Sequence, residues 1–461
     1  MSTLFGTDGI RGVAGEPPLD PATIFRIGRC LALQGCRSVV VGRDTRESGP
    51  WMEEALSRGL AAAGARVTLA GVLPTPAVSI LCRDSEFDAG VVVSASHNVY
   101  SDNGLKFFTA RGRKLSRRRE LALETLIAAD GSKSPAPPPP RSSPPALIRT
   151  EPGCLGMYSR FLRSTLEVGN LKPLKLILDC ASGAASQVAA RLFSSLGARV
   201  TLIDAPPDGR NINRDCGAVH PRRMARAVVE TGADFGAAFD GDADRAILAD
   251  HRGRILTGDH IIYVLARHLS ERNRLPTRRV VATVMSNLGL EAALAGLGVS
   301  LVRTQVGDRN VLESMVEGGD ALGGEPSGHI ILGEHSLAGD GILTTLKMAQ
   351  VLLQERRSLA RLSAGLRLCP QVLRSVIVGG RGQDLLDDRK VRGRIESVQE
   401  SLQGRGRVLV RCSGTEPVVR IMVEGEDREH LEECVEGIAA QIRSSLKRLA
   451  GTPGTRRRER S

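Results

Sequence analysis

One tryptophan and three tyrosines in 461 residues leave little material for the aromatic platforms on which nucleic-acid bases stack. No apolar run reaches the roughly 18 residues needed to span a bilayer, so neither nucleic acid nor membrane is expected as a partner. The opening MSTLFGTDGIRG has no basic stretch followed by an apolar core. It does not read as a secretory leader, and the expected compartment is the cytoplasm. Nine cysteines, at 30, 36, 82, 154, 180, 216, 369, 412 and 434, include no C-x-x-C pair. Neither a zinc site nor a disulfide framework is expected, and the thiols read as small buried hydrophobes.

The remaining composition is that of a soluble globular protein, with 41% hydrophobic and 25% charged residues. The length suggests roughly three or four domains. The net charge of +12 fits attraction for anionic small molecules or for nucleic acid, and the scarcity of aromatics favours the former. Part of the excess lies in a basic tail, 449–461, which reads as a frayed end.

Strand-then-helix patterns recur along the chain. Ser38 to Val41 leads into a helical spacing over Trp51 to Ala63, and Arg66 to Ala70 follows as a strand. Leu174 to Asp179, Arg199 to Ile203, Asp234 to Phe239, Arg279 to Val284 and Val299 to Val302 repeat the scheme. Such alternation predicts α/β domains with parallel or mixed sheets. Ser132 to Pro152 holds eight of the 23 prolines and reads as an extended linker or surface loop. The expected domains are therefore 1–152, 153–254, 255–370 and 371–448. The last is a smaller α+β unit with strands at Gln371 to Val378, Arg407 to Arg411 and Val418 to Glu424, and helices over Asp384 to Ser401 and from Asp427.

Four clusters carry chemistry. In VVVSASHNVYSDNGLKFF, Val91 to Phe108, an apolar strand delivers Ser94, Ser96, His97 and Asn98 to its C-terminal end, where ligands gather in open α/β sheets. Asn103-Gly104 signals a tight turn that returns Lys106 toward Ser96, giving a candidate nucleophile a charged partner. His97 is expected to point away from its neighbour. A turn-forming polar cluster is the alternative reading. In FDGDADR, Phe239 to Arg245, Asp240, Asp242 and Asp244 alternate and can converge on one hard divalent cation. Arg245 adds a phosphate-directed fork; three surface aspartates in a loop are the alternative. In GGEPSGH, Gly323 to His329, Glu325 and Ser327 offer an acceptor and a donor for sugar hydroxyls, unless the segment is a plain turn. RCSGTEPVVR, Arg411 to Arg420, makes a phosphate cradle from an arginine, two hydroxyls and a glycine-bearing loop.

Together with FGTDGIRG at Phe5 to Gly12, NINRDCGAVHP at Asn211 to Pro221 and VGDRNVLE at Val306 to Glu313, these clusters resemble the α-D-phosphohexomutase superfamily from Phe5 to about Ile442. Within it the chain is similar to the members acting on hexosamine phosphates. Two positions depart from the pattern: Val99 stands where the serine loop usually has proline, and Pro326 where the sugar loop of those members commonly has glutamine.

The resemblance implies three similar α/β domains and a smaller C-terminal one around a central cleft. It implies Mg²⁺, a hexose or hexosamine 1,6-bisphosphate activator, and phosphorylation of Ser96. Asp240, Asp242, Asp244 and Ser96 are then the metal ligands, with Ser96, Lys106, Arg11 and Arg245 at the transferred phosphoryl group. Glu325 and Ser327 match the sugar-binding loop, and Arg411, Ser413, Gly414 and Thr415 the loop holding the non-reacting phosphate. The implied reaction interconverts glucosamine 6-phosphate and glucosamine 1-phosphate, supplying UDP-N-acetylglucosamine synthesis, in a monomer or homodimer. The alternatives are a glucose or mannose phosphate mutase, an aspartyl-phosphate hydrolase using Asp240, and an inactive binding protein on the same fold.

Overall fold

The computed structural model describes residues 4–6, 8–130, 147–413 and 417–451, without the side chains of the last two. The four-proline run, Gly414, Thr415 and nearly all of the basic tail lie outside the described residues. Those described fall into two compact units. One comprises Met1–Ser286 with Leu294–Leu366, the other Asn287–Ala293 with Arg367–Ser461.

The larger unit holds three sheets. The first orders its strands Ile10–Val13, Asp102–Thr109, Ala89–Val93, Ser38–Arg43, Arg66–Val72 and Ile148–Thr150. Ser38–Arg43 runs parallel to both its neighbours, whereas Asp102–Thr109 is antiparallel to both of its own. Every residue of Ala89–Val93 is buried, as the continuous apolar run requires of a central strand covered on both faces. Helices Pro21–Leu33 and Gly49–Ala62 pack together on this domain, and Asp20 caps the former by accepting from the Thr23 N–H at 3.0 Å. Ile148–Thr150, from the end of the expected linker, instead adds a parallel edge strand beside Arg66–Val72.

The second sheet orders Ile255–Leu256, Ala246–Asp250, Phe235–Phe239, Lys175–Asp179 and Arg199–Ile203. The third orders Ser300–Thr304, Arg279–Thr283, Leu322–Gly324 and Ile330–Leu332. Both mix parallel and antiparallel pairs, and the three α/β sheets match the expected class.

The smaller unit is built on an antiparallel sheet, Gln371–Ile377, Val418–Glu424 and Arg407–Cys412, with the long helix Arg428–Gly451 against it. The single helix expected over 384–401 is two, Gly382–Asp387 and Arg389–Ser401. Asp388 breaks the run with extended backbone (φ −64°, ψ 127°), its carboxylate accepting from the Lys390 and Val391 N–H groups as an N-cap. All nine cysteines are free thiols. No helix among the described residues is long and apolar enough to cross a membrane.

Candidate active site

The strand Ala89–Val93 ends at a loop, 94–101, that carries Ser96. This loop is the reversal. Asn103 and Gly104 are not a turn but the start of the returning strand, opposite Gly12 and Arg11. The glycine is needed for close approach: a Cβ there would lie 2.7 Å from the Ser94 carbonyl oxygen and 2.8 Å from that of Ile10. The return still brings Lys106 to the site, opposite Val92.

Ser96 is fully buried and has φ +53°, in the left-handed region that side chains rarely occupy. Its hydroxyl donates to Asp240 Oδ2 at 2.6 Å. The same φ breaks the alternation of an extended chain, so His97 turns toward its neighbour instead of away, with Nδ1 at 3.2 Å from Ser96 Oγ. Burial, then Arg245 and Arg11, push the His97 imidazole down to about 4. It is neutral at pH 7 and a weak base.

The three aspartates follow the buried strand Phe235–Phe239. The chain curls through Ala243 (φ +56°), and one carboxylate oxygen of each aspartate lies within 4.8 Å of the others. Asp242 Oδ1 and Asp244 Oδ1 are buried and have no hydrogen-bond partner among the described residues. Converging hard oxygen donors with unused lone pairs fit a divalent cation. Lys106 Nζ donates to Asp242 Oδ2 at 2.7 Å and to Asp244 Oδ2 at 2.9 Å. Burial disfavours the Lys106 ammonium, but Asp242, Asp244 and Asp8 outweigh it and hold its pKa well above the ordinary value. Burial raises both Asp240 and Asp244; the adjacent carboxylates add to it at Asp240, whereas Lys106 reverses it at Asp244. Arg245 donates its backbone N–H to Asp240 Oδ1 at 3.1 Å and places Nε 3.7 Å from Asp244 Oδ1. Arg11 Nη2 lies 2.5 Å from Asp8 Oδ2.

Several residues not singled out from the sequence complete the site. Thr75 donates its hydroxyl to Asp242 Oδ2 and its backbone N–H to the Asp242 carbonyl. Asp8 lies 3.3 Å from Lys106 Nζ, and Lys114 donates to both Asp8 and Asp308. The His329 ring stands between Asp244 Oδ1 at 3.7 Å and Asp308 Oδ2 at 3.5 Å. Asp8, Asp308 and His329 fall within segments that marked the family resemblance; Thr75 and Lys114 carried no sequence signal.

Glu325 and Ser327 lie in the connection between Leu322–Gly324 and Ile330–Leu332. Glu325 Oε1 accepts from the Gly307 N–H at 3.2 Å, and Ser327 Oγ is buried with no hydrogen-bond partner among the described residues. In the smaller unit Arg411 stands directly opposite Arg420 on the neighbouring strand. Burial and that like charge push the Arg411 guanidinium below its ordinary pKa. Ser413 follows, its N–H donating to the Val418 carbonyl at 2.9 Å.

Residues 2–134, 157–253, 257–367 and 376–441 match, in that order, the alpha/beta/alpha domains I, II and III and the C-terminal domain of phosphoglucomutase/phosphomannomutase. A phosphoglucosamine mutase of Desulforudis audaxviator is 43% identical over 456 residues, covering 98% of this chain and 100% of that protein. A phosphoglucomutase/phosphomannomutase family protein from Burkholderia thailandensis superposes with a TM-score of 0.80 at 25% identity, over 98% of this chain and 99% of that one. The N-acetylphosphoglucosamine mutase of Aspergillus fumigatus, solved with GlcNAc-6P and magnesium, shares the fold. Its TM-score is 0.68 at 18% identity, over 96% of each chain.

Proposed function

This chain belongs to the phosphoglucomutase/phosphomannomutase family, and on that premise we propose that it interconverts glucosamine 6-phosphate and glucosamine 1-phosphate through a phosphoserine at Ser96. The observation that carries the reading is a buried serine hydroxyl 2.6 Å from Asp240, in a chain 43% identical over nearly its whole length to a phosphoglucosamine mutase.

Phosphorylated Ser96 gives its phosphoryl group to the free hydroxyl of the sugar phosphate, producing a 1,6-bisphosphate and a free serine. The bisphosphate turns around, and Ser96 takes back the other phosphoryl group, so a bound bisphosphate also serves as activator. The same constellation thus serves both halves, and catalysis rests on positioning and charge stabilisation. Asp240, Asp242, Asp244 and the phosphorylated serine would hold Mg²⁺, which neutralises charge on the transferring group. Arg245 and Arg11 present guanidinium groups to that charge. Lys106, which donates to Asp242 and Asp244, serves the transfer as proton acceptor or electrostatic partner. Glu325 pairs with the 2-ammonium group of the sugar while Ser327 donates to a sugar hydroxyl. Arg411, Ser413, Gly414 and Thr415 hold the non-reacting phosphate.

The protein acts as a monomer or homodimer in the cytoplasm, supplying the precursor of UDP-N-acetylglucosamine. An ammonium–carboxylate contact favours the amino sugar by roughly ten- to a hundredfold in specificity. Parallel assays on glucosamine 6-phosphate, glucose 6-phosphate and mannose 6-phosphate test this. The highest kcat/KM is expected for glucosamine 6-phosphate, and a tenfold preference for mannose 6-phosphate would remove the amino-sugar assignment while leaving the mutase.

A further inference from the structure

Arg46 has no place in the chemistry above, yet its side chain is fully buried beside the serine loop. It lies in the connection from the strand Ser38–Arg43 to the helix Gly49–Ala62. A guanidinium has five N–H donors in a fixed plane, and here five bonds are made. Nε donates to Asp44 Oδ2 at 2.9 Å. Nη1 donates to the carbonyls of Val99 and, at 2.9 Å, Asp102. Nη2 donates to the carbonyls of Ser96 at 3.0 Å and Asn98 at 2.9 Å. The loop bearing the nucleophile is wrapped around one cation.

The partner of that cation holds the other side of the same residue. Asp44 Oδ2 accepts from the Ser94 hydroxyl at 2.6 Å, and Ser94 Oγ accepts from the Ser96 N–H at 2.9 Å. Asn213, from the second sheet's domain, donates through Nδ2 to the Ser96 carbonyl at 2.9 Å and to that of Asn98 at 3.0 Å. Both backbone groups of Ser96 are therefore tied to the Asp44–Arg46 pair. These ties hold the residue at the positive φ that aims Oγ at Asp240. An extended Ser96 would point its hydroxyl elsewhere.

We propose that Arg46 is the positioning residue of the nucleophile: it gathers three loop carbonyls and that of Asp102 at the start of the returning strand, with Asn213 in support, so that Ser96 is locked in its left-handed conformation in both halves of the reaction. This rests on Ser96 being the phosphoryl carrier. Arg46 exchanges no proton and touches no sugar. Its loss acts on transfer and not on substrate affinity, since small misplacements of a reacting group cost about a hundredfold.

The test compares Arg46→Lys, Asn213→Gly and a core control, Val228→Ala, in the full-length enzyme with Mg²⁺. Lysine keeps the charge but cannot present a planar fork, and glycine keeps the positive φ of residue 213 while removing its amide. Expected are a fall in kcat of about a hundredfold for Arg46→Lys and about tenfold for Asn213→Gly, with KM for glucosamine 6-phosphate within about threefold. The ³¹P resonance of phosphorylated Ser96 should shift or broaden in both. Val228→Ala lies in the core of the second domain and should lose thermal stability while keeping kcat within about twofold. If Arg46→Lys does not fold, Asn213→Gly decides alone. The proposal is overturned if the folded variants keep kcat within threefold, or if the core control falls as far as they do. A wild type carrying phosphate on Ser96 beside fully active variants overturns this inference alone, whereas a wild type with no phosphate there overturns the mutase reading as well.

Discussion

Lys106 Nζ stands 2.7 Å from Asp242 Oδ2, in an ion pair whose two side chains are 1% and 0% exposed. The lysine comes from a strand of the first sheet and the aspartate from the loop after a strand of the second, so the pair joins two domains of the larger unit at the point of chemistry. A buried pair of this kind contributes little net stability when intact, because desolvation offsets attraction, but breaking it strands a buried charge. Here Lys106 faces three carboxylates, Asp8, Asp242 and Asp244. Its removal leaves an anionic cluster that only another cation can neutralise.

Lys106→Met should therefore lower stability by about 3–5 kcal/mol in EDTA. Saturating Mg²⁺ should restore part of the loss, since a ligand that binds the folded state stabilises it. Chemical denaturation with and without the metal measures both. Equal losses under the two conditions would separate the lysine from the metal-binding cluster.

Ser96→Ala should cut turnover at least about a thousandfold and lower stability by only about 1–3 kcal/mol, the cost of leaving the buried Asp240 Oδ2 without its donor. Intact-mass measurement of the active wild type should show one added phosphate, mapping to Ser96. Near-normal steady-state turnover by the alanine variant would rule out the phosphoserine route.

Asp242→Asn removes one anionic donor while keeping the shape of the side chain. The concentration of Mg²⁺ needed for half-maximal activity should rise about tenfold or more, and kcat should fall. Excess EDTA should silence the wild type reversibly. Activity undiminished in rigorously metal-free buffer would take the metal out of the mechanism.

His260 supplies a pH prediction away from the site. Its Nδ1 accepts from the Thr257 N–H at 3.2 Å at the start of the helix Gly258–Glu271, a role only the unprotonated nitrogen can fill. Burial, then Arg254, push its pKa down to about 4. Between about pH 6.5 and 4 the unfolded chain binds the extra proton and the folded one does not, so stability falls as pH is lowered through that window. The contribution over the whole window is on the order of 3 kcal/mol. His260→Gln should flatten the dependence of unfolding free energy on pH between 7 and 5; an unchanged slope would contradict it.

The rival in which Asp240 is itself the nucleophile fits the geometry poorly. It leaves Ser96, whose buried hydroxyl donates to Asp240 Oδ2 at 2.6 Å, without a role.

Local chemistry determined much of what is seen. The apolar runs at Ser38–Arg43, Ala89–Val93 and Phe235–Phe239 could be read as strands because burial on both faces demands continuous hydrophobicity. Ser96 and the alternating aspartates were legible because each sits just beyond such a run. Other features were decided only by long-range packing. Gly104 looked like half of a turn, but the strand Ile10–Val13, some ninety residues earlier in the chain, makes it a contact glycine. His97 faces Ser96 because Arg46 and Asn213, from two different domains, hold the intervening backbone at a positive φ. The charges that fix Lys106 as an ammonium lie as far off as Asp8 and Asp244. Residue type and short spacing set which groups are available; which conformation and protonation state each adopts depends on burial and on neighbours distant in the chain, and those exist only once the chain has folded.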